Sequence, residues 1–98
     1  MAAYLVVAVD INDPGSYKKY SEAAGAVLQG FDIEELAAEA NTTVYEGERP
    51  ANHLVLMKFE SKDKFEEFYN SEAYRRAIPL RDAASDTRFI MLMDSPED

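Results

Sequence analysis

The sequence predicts one small α+β domain, in which a single antiparallel sheet carries helices on one of its faces. Three observations lead to this prediction. The chain has 98 residues, which is the length of one domain. Short apolar, β-branched runs alternate along it with helix-forming segments that begin at capping residues. No internal repeat, low-complexity stretch or linker divides residues 1–98, so we expect a single domain over the whole length.

The first predicted elements are a strand and a helix. Residues 4–9 (YLVVAV) are β-branched and short, which is typical of a strand. Asp13 and Pro14 then supply the N-cap and the first position of a helix, which continues to about Leu28. Its apolar residues recur at steps of three and four, and Gly30 ends it.

The next segment, residues 33–40, is ambiguous. Its composition favours a helix, yet it is short, and the extended sequence TTVY follows at residues 42–45. A strand here would complete a recurrent order of elements. We therefore predict a strand with a break near Asn41, followed by a turn over residues 47–52.

The second half predicts a strand, a helical region and a final strand. Residues 53–59 (HLVLMKF) form the third strand, Ser61 is the N-cap of a second helix, and helical signals restart at Ser71. Pro79 cannot continue a helix without a kink, which favours a separate short helix from Pro79 to Ser85. Residues 88–93 form the last strand, and residues 94–98 are expected to be a frayed tail. The resulting order, β-α-β-β-α-β, is the ferredoxin-like arrangement.

The strands also predict self-association. Two helices cover one face of a four-stranded sheet, and a wet second face should be polar. Instead, the clear strands are apolar on both faces, as in Phe89, Met91 and Met93 against Ile90 and Leu92. Leaving such a patch in water is unusual for a monomer, so we expect a homodimer packed through its sheet faces. The alternative is that the ambiguous segment, the C-terminal tail or long loops cover that face.

Composition excludes several classes of protein. The net charge of −9, with basic residues scattered, argues against nucleic acid or an anionic membrane as a partner. No basic stretch precedes an apolar run at the N-terminus, and no run could span a bilayer, so we expect a cytoplasmic protein. One histidine and no cysteine give no metal site, and phosphate-binding and nucleophile motifs are absent. No cofactor is predicted.

Several segments, taken together, resemble a known family. They are Tyr17–Tyr20 after Asp13-Pro14, Tyr45–Gly47 before Pro50, Val55–Ser61, Phe68–Tyr74, and Arg81. The sequence resembles the bacterial domain-of-unknown-function family numbered 1330, within the dimeric α+β barrel superfamily. The resemblance implies the ferredoxin-like fold and a barrel dimer, and it implies no established reaction. The same superfamily holds cofactor-independent monooxygenases, muconolactone isomerase-like proteins and haem-degrading enzymes.

Six residues are candidates for a ligand site. Arg81 lies on an otherwise small and apolar segment and could clamp a carboxylate, or it could form an internal ion pair. Tyr74 shares a helical face with it only if the helix runs through Pro79. His53, the one histidine, could be a base at the mouth of a cavity or a surface residue. Tyr17 and Tyr20 could line a pocket or belong to the core. Glu46 could be a pocket acid or a turn acceptor.

These features favour a dimer that binds a small organic ligand, carboxylic or aromatic, in a cleft between sheet and helices. One alternative is a cofactor-independent enzyme of the monooxygenase or isomerase kind, which rests on the superfamily alone. Another is a purely structural partner, in which the groove is closed. The sequence leaves open whether the protein is an enzyme.

Overall fold

The computed structural model of the protein describes residues 1–96. Its elements, in chain order, are β1 (Ala3–Ile11), α1 (Pro14–Leu28), β2 (Ile33–Glu39), β3 (His53–Phe59), α2 (Lys62–Tyr69), α3 (Glu72–Ala84) and β4 (Ser85–Asp94). The predicted order of strands and helices is therefore confirmed, including the strand at the ambiguous segment. That strand ends at Glu39, and residues 42–45 do not continue it.

Capping residues set the three helix starts. The Asp13 carboxylate accepts hydrogen bonds from the backbone N–H and the hydroxyl of Ser16, and Pro14 occupies the first turn of α1. Ser61 accepts from the Lys64 N–H at the start of α2. Ser71 accepts from the Tyr74 N–H and donates to the Phe68 carbonyl oxygen, so it ends one helix and begins the next.

Helix α3 runs unbroken through Pro79, so the prediction of a separate helix from Pro79 to Ser85 is wrong. Pro79 has no N–H to donate, and this normally weakens a helix interior. It lies on the exposed side of the helix, however. The buried side is continuous across it, and packing of that side keeps the turns in line; its buried residues are Tyr74, Ala77, Arg81 and Ala84. Tyr74 and Arg81 therefore share one face.

The four strands form one antiparallel sheet in the order β2-β3-β1-β4. This order and the helices on one face make the protein a ferredoxin-like α+β domain. Two irregularities interrupt the ladders, one in the β1–β4 pairing at Ala8/Val9 and one in β2 between Glu35 and Ala37. Strand β4 begins at Ser85, before the predicted residue 88. Asp94, predicted to be in the frayed tail, closes β4, and residues 97–98 of that tail lie outside the described residues.

The core lies between the sheet and the helices at the α2 end of the domain. Phe59 is fully buried, and its ring lies 5.3 Å from that of Phe65 and 5.8 Å from that of Phe68. Leu5, Ala24, Tyr74 and Ala77 complete the buried cluster. Aromatic side chains bury large apolar areas, and tilted or edge-to-face contacts are their preferred geometries. This cluster anchors the helices to the sheet.

The opposite side of the sheet carries no helix, and we call it the open face. Its residues follow from the strand register: Tyr4, Val6 and Ala8 of β1, Leu54, Leu56 and Lys58 of β3, and Phe89, Met91 and Met93 of β4. Met91 is 56% exposed and Met93 is 57% exposed. Among residues 1–96, the loops and β2 therefore leave this face uncovered at β4.

The β2–β3 connection is fixed at its end by Asn52. The Asn52 side chain accepts from the Ile11 N–H (2.8 Å) and donates to the Ile11 carbonyl oxygen (3.1 Å), as a neighbouring strand would. Its own N–H donates to Asp10, which also pairs with Arg88. The Arg88 guanidinium, with the Asn52 N–H, holds the pKa of Asp10 below its usual range. The end of the loop is thus tied to the end of β1.

We expect Asn52→Ala to lower the free energy of unfolding by about 1–2 kcal/mol, because it removes both side-chain hydrogen bonds to Ile11. Urea denaturation followed by circular dichroism measures this loss. Asn41→Ala, at an exposed position of the same connection, is the control and should stay within about 0.5 kcal/mol of wild type. Equal stability of the two variants would contradict the role given to Asn52.

Candidate functional site

A pocket of about 300 Å³ lies between the sheet and the helices. All four strands contribute to its floor. Helices α1 and α3 contribute most of its polar groups, and β2, β3 and α2 add Glu35, His53 and Tyr69. The apolar part of the lining includes Leu5, Val7 and Val9 of β1, Val55 and Met57 of β3, and Ile90 of β4. A mostly apolar cavity with a few convergent polar groups is typical of small-molecule sites.

Three polar side chains are joined by hydrogen bonds at the α1–α3 side of the pocket. Nη1 of Arg81 donates to the Tyr74 hydroxyl oxygen at 3.0 Å. The Tyr74 and Tyr20 hydroxyl oxygens lie 2.8 Å apart. Arg81 is only 9% exposed, and its Nε lies 3.4 Å from the carboxylate of the exposed Asp82. The pocket thus contains a buried positive charge with two phenol groups beside it.

Burial sets the protonation of these groups. It raises the pKa of Tyr20 far above the ordinary phenol value, and the neighbouring Tyr74 raises it further. Burial likewise raises the pKa of Tyr17. For Arg81, burial favours the neutral form, but the oxygens of Tyr74, Tyr20 and Asp82 outweigh it, and the pKa is raised. At neutral pH Tyr17 and Tyr20 are therefore protonated, and the Arg81 guanidinium is charged.

Tyr17 and His53 lie together at another part of the lining. Their ring centroids are 6.4 Å apart in an edge-on arrangement, and the Tyr17 ring is 5.3 Å from that of Tyr20. His53 begins β3 and is half-buried. Glu35, just before the irregularity in β2, also reaches the lining and is exposed. The titratable groups thus extend from the buried Arg81 towards solvent.

The structure brings five of the six predicted site residues to this pocket: Tyr17, Tyr20, His53, Tyr74 and Arg81. Glu46 is not brought there. It lies on the exposed β2–β3 connection beside Gly47, whose positive φ of 88° makes the turn there. The sequence left Glu46 open as a pocket acid or a turn acceptor, and it favoured an extended continuation of the strand through residues 42–45. Strand β2 ends earlier, and the connection does not reach the pocket.

Sequence reasoning missed several lining residues. Ser21 and Gly25 follow Tyr17 at intervals of four along α1 and lie on the same stripe. Their spacing from Tyr17 could have indicated that they lie on the same face of α1, but serine and glycine do not by themselves suggest a ligand site. Glu35 and Ala38 of β2 had no signal, because the irregularity between Glu35 and Ala37 determines which residues turn to the helix side.

Two further features concern a metal site and a membrane-spanning helix. Within residues 1–96, no group of three or more His, Cys, Asp or Glu side chains is arranged to hold a metal ion. None of the helices in that range has the length and apolar character needed to cross a membrane.

Comparison with known families gives one match. Residues 2–95 match the family described as Domain of unknown function (DUF1330). No curated protein matches the sequence significantly.

Solved structures share the fold at low sequence identity. A protein of unknown function from Rhodopseudomonas palustris is 16% identical with a TM-score of 0.79, and the alignment covers 99% of this chain and 84% of that one. SnoaB, a cofactor-independent oxygenase from Streptomyces nogalater, is 10% identical with a TM-score of 0.69 and coverage of 99% and 95%. A dimeric ferredoxin-like protein of unknown function from Thermobifida fusca is 14% identical with a TM-score of 0.67 and coverage of 97% and 92%.

Proposed function

Given that the chain belongs to the DUF1330 family, whose description names no activity, we propose that it is a homodimer that binds a small organic molecule. The ligand lies in the pocket between sheet and helices and is aromatic or carboxylic in character. The observation that carries this proposal is the buried Arg81 guanidinium, held by Tyr74 inside an otherwise apolar cavity. Neither a purely structural core nor a solvent-filled groove needs a charge in that position.

The shape and chemistry of the pocket support this ligand class. Its volume of about 300 Å³ is within the range of small-molecule sites. Its walls are aliphatic residues of the sheet and tyrosine rings of α1 and α3, which favour a flat apolar body. The charged Arg81 favours an acidic group at one end of that body.

The open face supports the homodimer. It presents a contiguous apolar patch in which Val6 lies between Leu56 on one side and Met91 on the other. A second copy of the chain is a natural partner for this patch, because the two apolar faces can pack together around a two-fold axis. The net charge of −9 on each copy does not prevent this, since the patch itself is apolar. Proteins of this fold from Thermobifida fusca and Jannaschia are described as dimeric. The face opposite the pocket is thus the proposed interface.

Filling the pocket from α1 tests the binding function. A Cβ added at Gly25 meets nothing within 4 Å, so a larger side chain there can enter the pocket. We expect 2-naphthoate at a hundredfold excess over Kd to stabilise the wild type by about 2.7 kcal/mol. The Gly25→Leu variant should lose this stabilisation. Thermal unfolding with and without the ligand measures the difference.

Gly25→Ala is the matched control. It adds one methyl group and removes a helical glycine, so we expect about 0.5–1 kcal/mol of added stability without ligand. Most of the stabilisation by 2-naphthoate should remain in this variant. If Gly25→Leu responds to 2-naphthoate as strongly as Gly25→Ala, the ligand binds elsewhere.

The second candidate function is a cofactor-independent reaction of the monooxygenase or isomerase kind. Its support is the shared fold with the oxygenase SnoaB, together with the His53 imidazole at the pocket lining. Oxygen consumption with electron-rich phenols tests the oxygenase form. Consumption that is lost in His53→Gln would favour the enzyme over the binding protein.

A further inference from the structure

We propose that Tyr20, Tyr74 and Arg81 form a directed hydrogen-bond relay that offers a hydroxyl hydrogen to the pocket, so that the site selects an anionic oxygen. This inference rests on the proposed binding function and narrows its ligand to aromatic molecules that carry a carboxylate or a phenolate. The relay is defined by its two hydrogen bonds, Arg81 to Tyr74 and Tyr74 to Tyr20.

The direction of the relay begins at Arg81. A guanidinium has only donors, so the Tyr74 oxygen must be the acceptor in the 3.0 Å bond between them. Tyr74 is 3% exposed, and its hydroxyl is therefore held by the protein and not by bulk water. Accepting from a cation makes the Tyr74 hydroxyl a stronger donor in turn.

A count of hydrogens gives the end of the relay. Tyr20 and Tyr74 have two hydroxyl hydrogens between them, and one of these lies in the 2.8 Å bond that joins the two oxygens. The other hydrogen is left for a further acceptor, whichever residue donates. When Tyr74 donates, the remaining hydrogen is that of Tyr20, whose side chain lines the pocket. A ligand oxygen can accept it there.

The charge around the relay favours an anion as that acceptor. Asp82 offsets the Arg81 charge only weakly, because the contact is 3.4 Å long and the Asp82 side chain is 62% exposed. Tyr20 stays protonated at neutral pH because burial and Tyr74 raise its pKa, so it remains a donor. The relay therefore adds a positive charge and a polarised donor to one end of an apolar cavity, which is an oxyanion-binding arrangement.

Four titratable side chains outside the relay also line the pocket. They are Tyr17 on α1, Glu35 on β2, His53 on β3 and Tyr69 on α2. The residues that β1 and β4 contribute to the lining are aliphatic. His53 is the one histidine of the sequence and lines the pocket, so a His53→Gln background separates the contribution of its imidazole from the effect of the relay.

Absorbance titration of 4-nitrophenol between pH 5 and 9 tests the proposal, because the phenolate and the phenol absorb at different wavelengths. We expect wild-type protein and the His53→Gln variant to bind the phenolate about tenfold more tightly than the phenol. Tyr20→Phe and Tyr74→Phe should each abolish that preference while still binding the neutral phenol. Tyr45→Phe, which alters an exposed tyrosine outside the pocket, should keep it.

Competition between 2-naphthoate and 2-naphthamide provides the carboxylate arm of the same test. If Tyr20→Phe loses only the preference for naphthoate over naphthamide, the relay serves a carboxylate. If it loses only the preference for nitrophenolate over nitrophenol, the relay serves a phenolate. If both tyrosine variants bind with unchanged anion preference, the relay is wrong and the binding function stands. If the wild type binds none of the probes, the binding function and the relay both fail.

Discussion

Replacing Phe59 by alanine should lower the free energy of unfolding by about 3–5 kcal/mol, the largest effect we expect from a single core substitution. Phe59 is fully buried where β3 meets the two phenylalanines of α2, Phe65 and Phe68. Removing its ring deletes two aromatic contacts and leaves a cavity that the sheet backbone cannot close. Urea denaturation at a fixed protein concentration measures the loss, which is a large share of a small domain's total stability.

Phe59→Leu is the matched control for this prediction. It retains most of the apolar volume, and we expect it to cost less than about half as much as Phe59→Ala. Tyr45→Ala, at a residue that is 92% exposed, should change stability by no more than about 0.5 kcal/mol. A loss below about 1 kcal/mol in Phe59→Ala would contradict the central place given to this aromatic cluster.

The second large effect is expected on assembly. Wild-type protein should sediment at twice the chain mass of 11.0 kDa, and Met91→Glu should shift it to the monomer. Met91 lies on the open face beside Val6 and is 56% exposed in the single chain, so the substitution leaves the monomer core intact. In a dimer, each copy would bury a carboxylate against apolar side chains. We expect the dimer Kd to rise at least about a hundredfold.

Leu80→Glu is the control for assembly, because Leu80 is also an exposed apolar residue, 38% exposed, but lies on α3, away from the open face. It should sediment like the wild type. Sedimentation velocity over a range of protein concentrations distinguishes the two variants. A wild type that remains at 11.0 kDa at micromolar concentration would refute the homodimer.

The fold could be predicted from local signals because most elements carry them. Asp13 and Ser61 cap their helices as predicted, and α3 begins where the helical signals restart, at Ser71. Residues 53–59 form a strand with the predicted bounds. The strand at residues 33–39 was predicted against its helix propensity, because the order of the surrounding elements required it. The predicted helix break at Pro79 was wrong. Proline removes a backbone hydrogen bond, but the buried residues of α3 on both sides of Pro79 keep the helix continuous.

The candidate site could be predicted only in part. Arg81 and the tyrosines were noticeable as polar groups in apolar segments. The bond between Tyr20 and Tyr74 joins residues 54 positions apart, and such a contact depends on how α1 packs against α3. The acidic residue at the pocket was also not predictable. The end of β2 at Glu39 leaves Glu46 outside the pocket, and the irregularity in β2 brings Glu35 to it. Neither feature follows from composition.

Strand β2 lies at an edge of the sheet, where an extended backbone can template the addition of a strand from another molecule. Three of its seven residues are glutamates, Glu34, Glu35 and Glu39, and its irregular pairing bends it locally. Two such edges could join only by bringing six carboxylates together. Growth into open-ended fibrils is therefore discouraged along this side. In the proposed homodimer, contact between copies lies instead on the sheet face, where it closes after two.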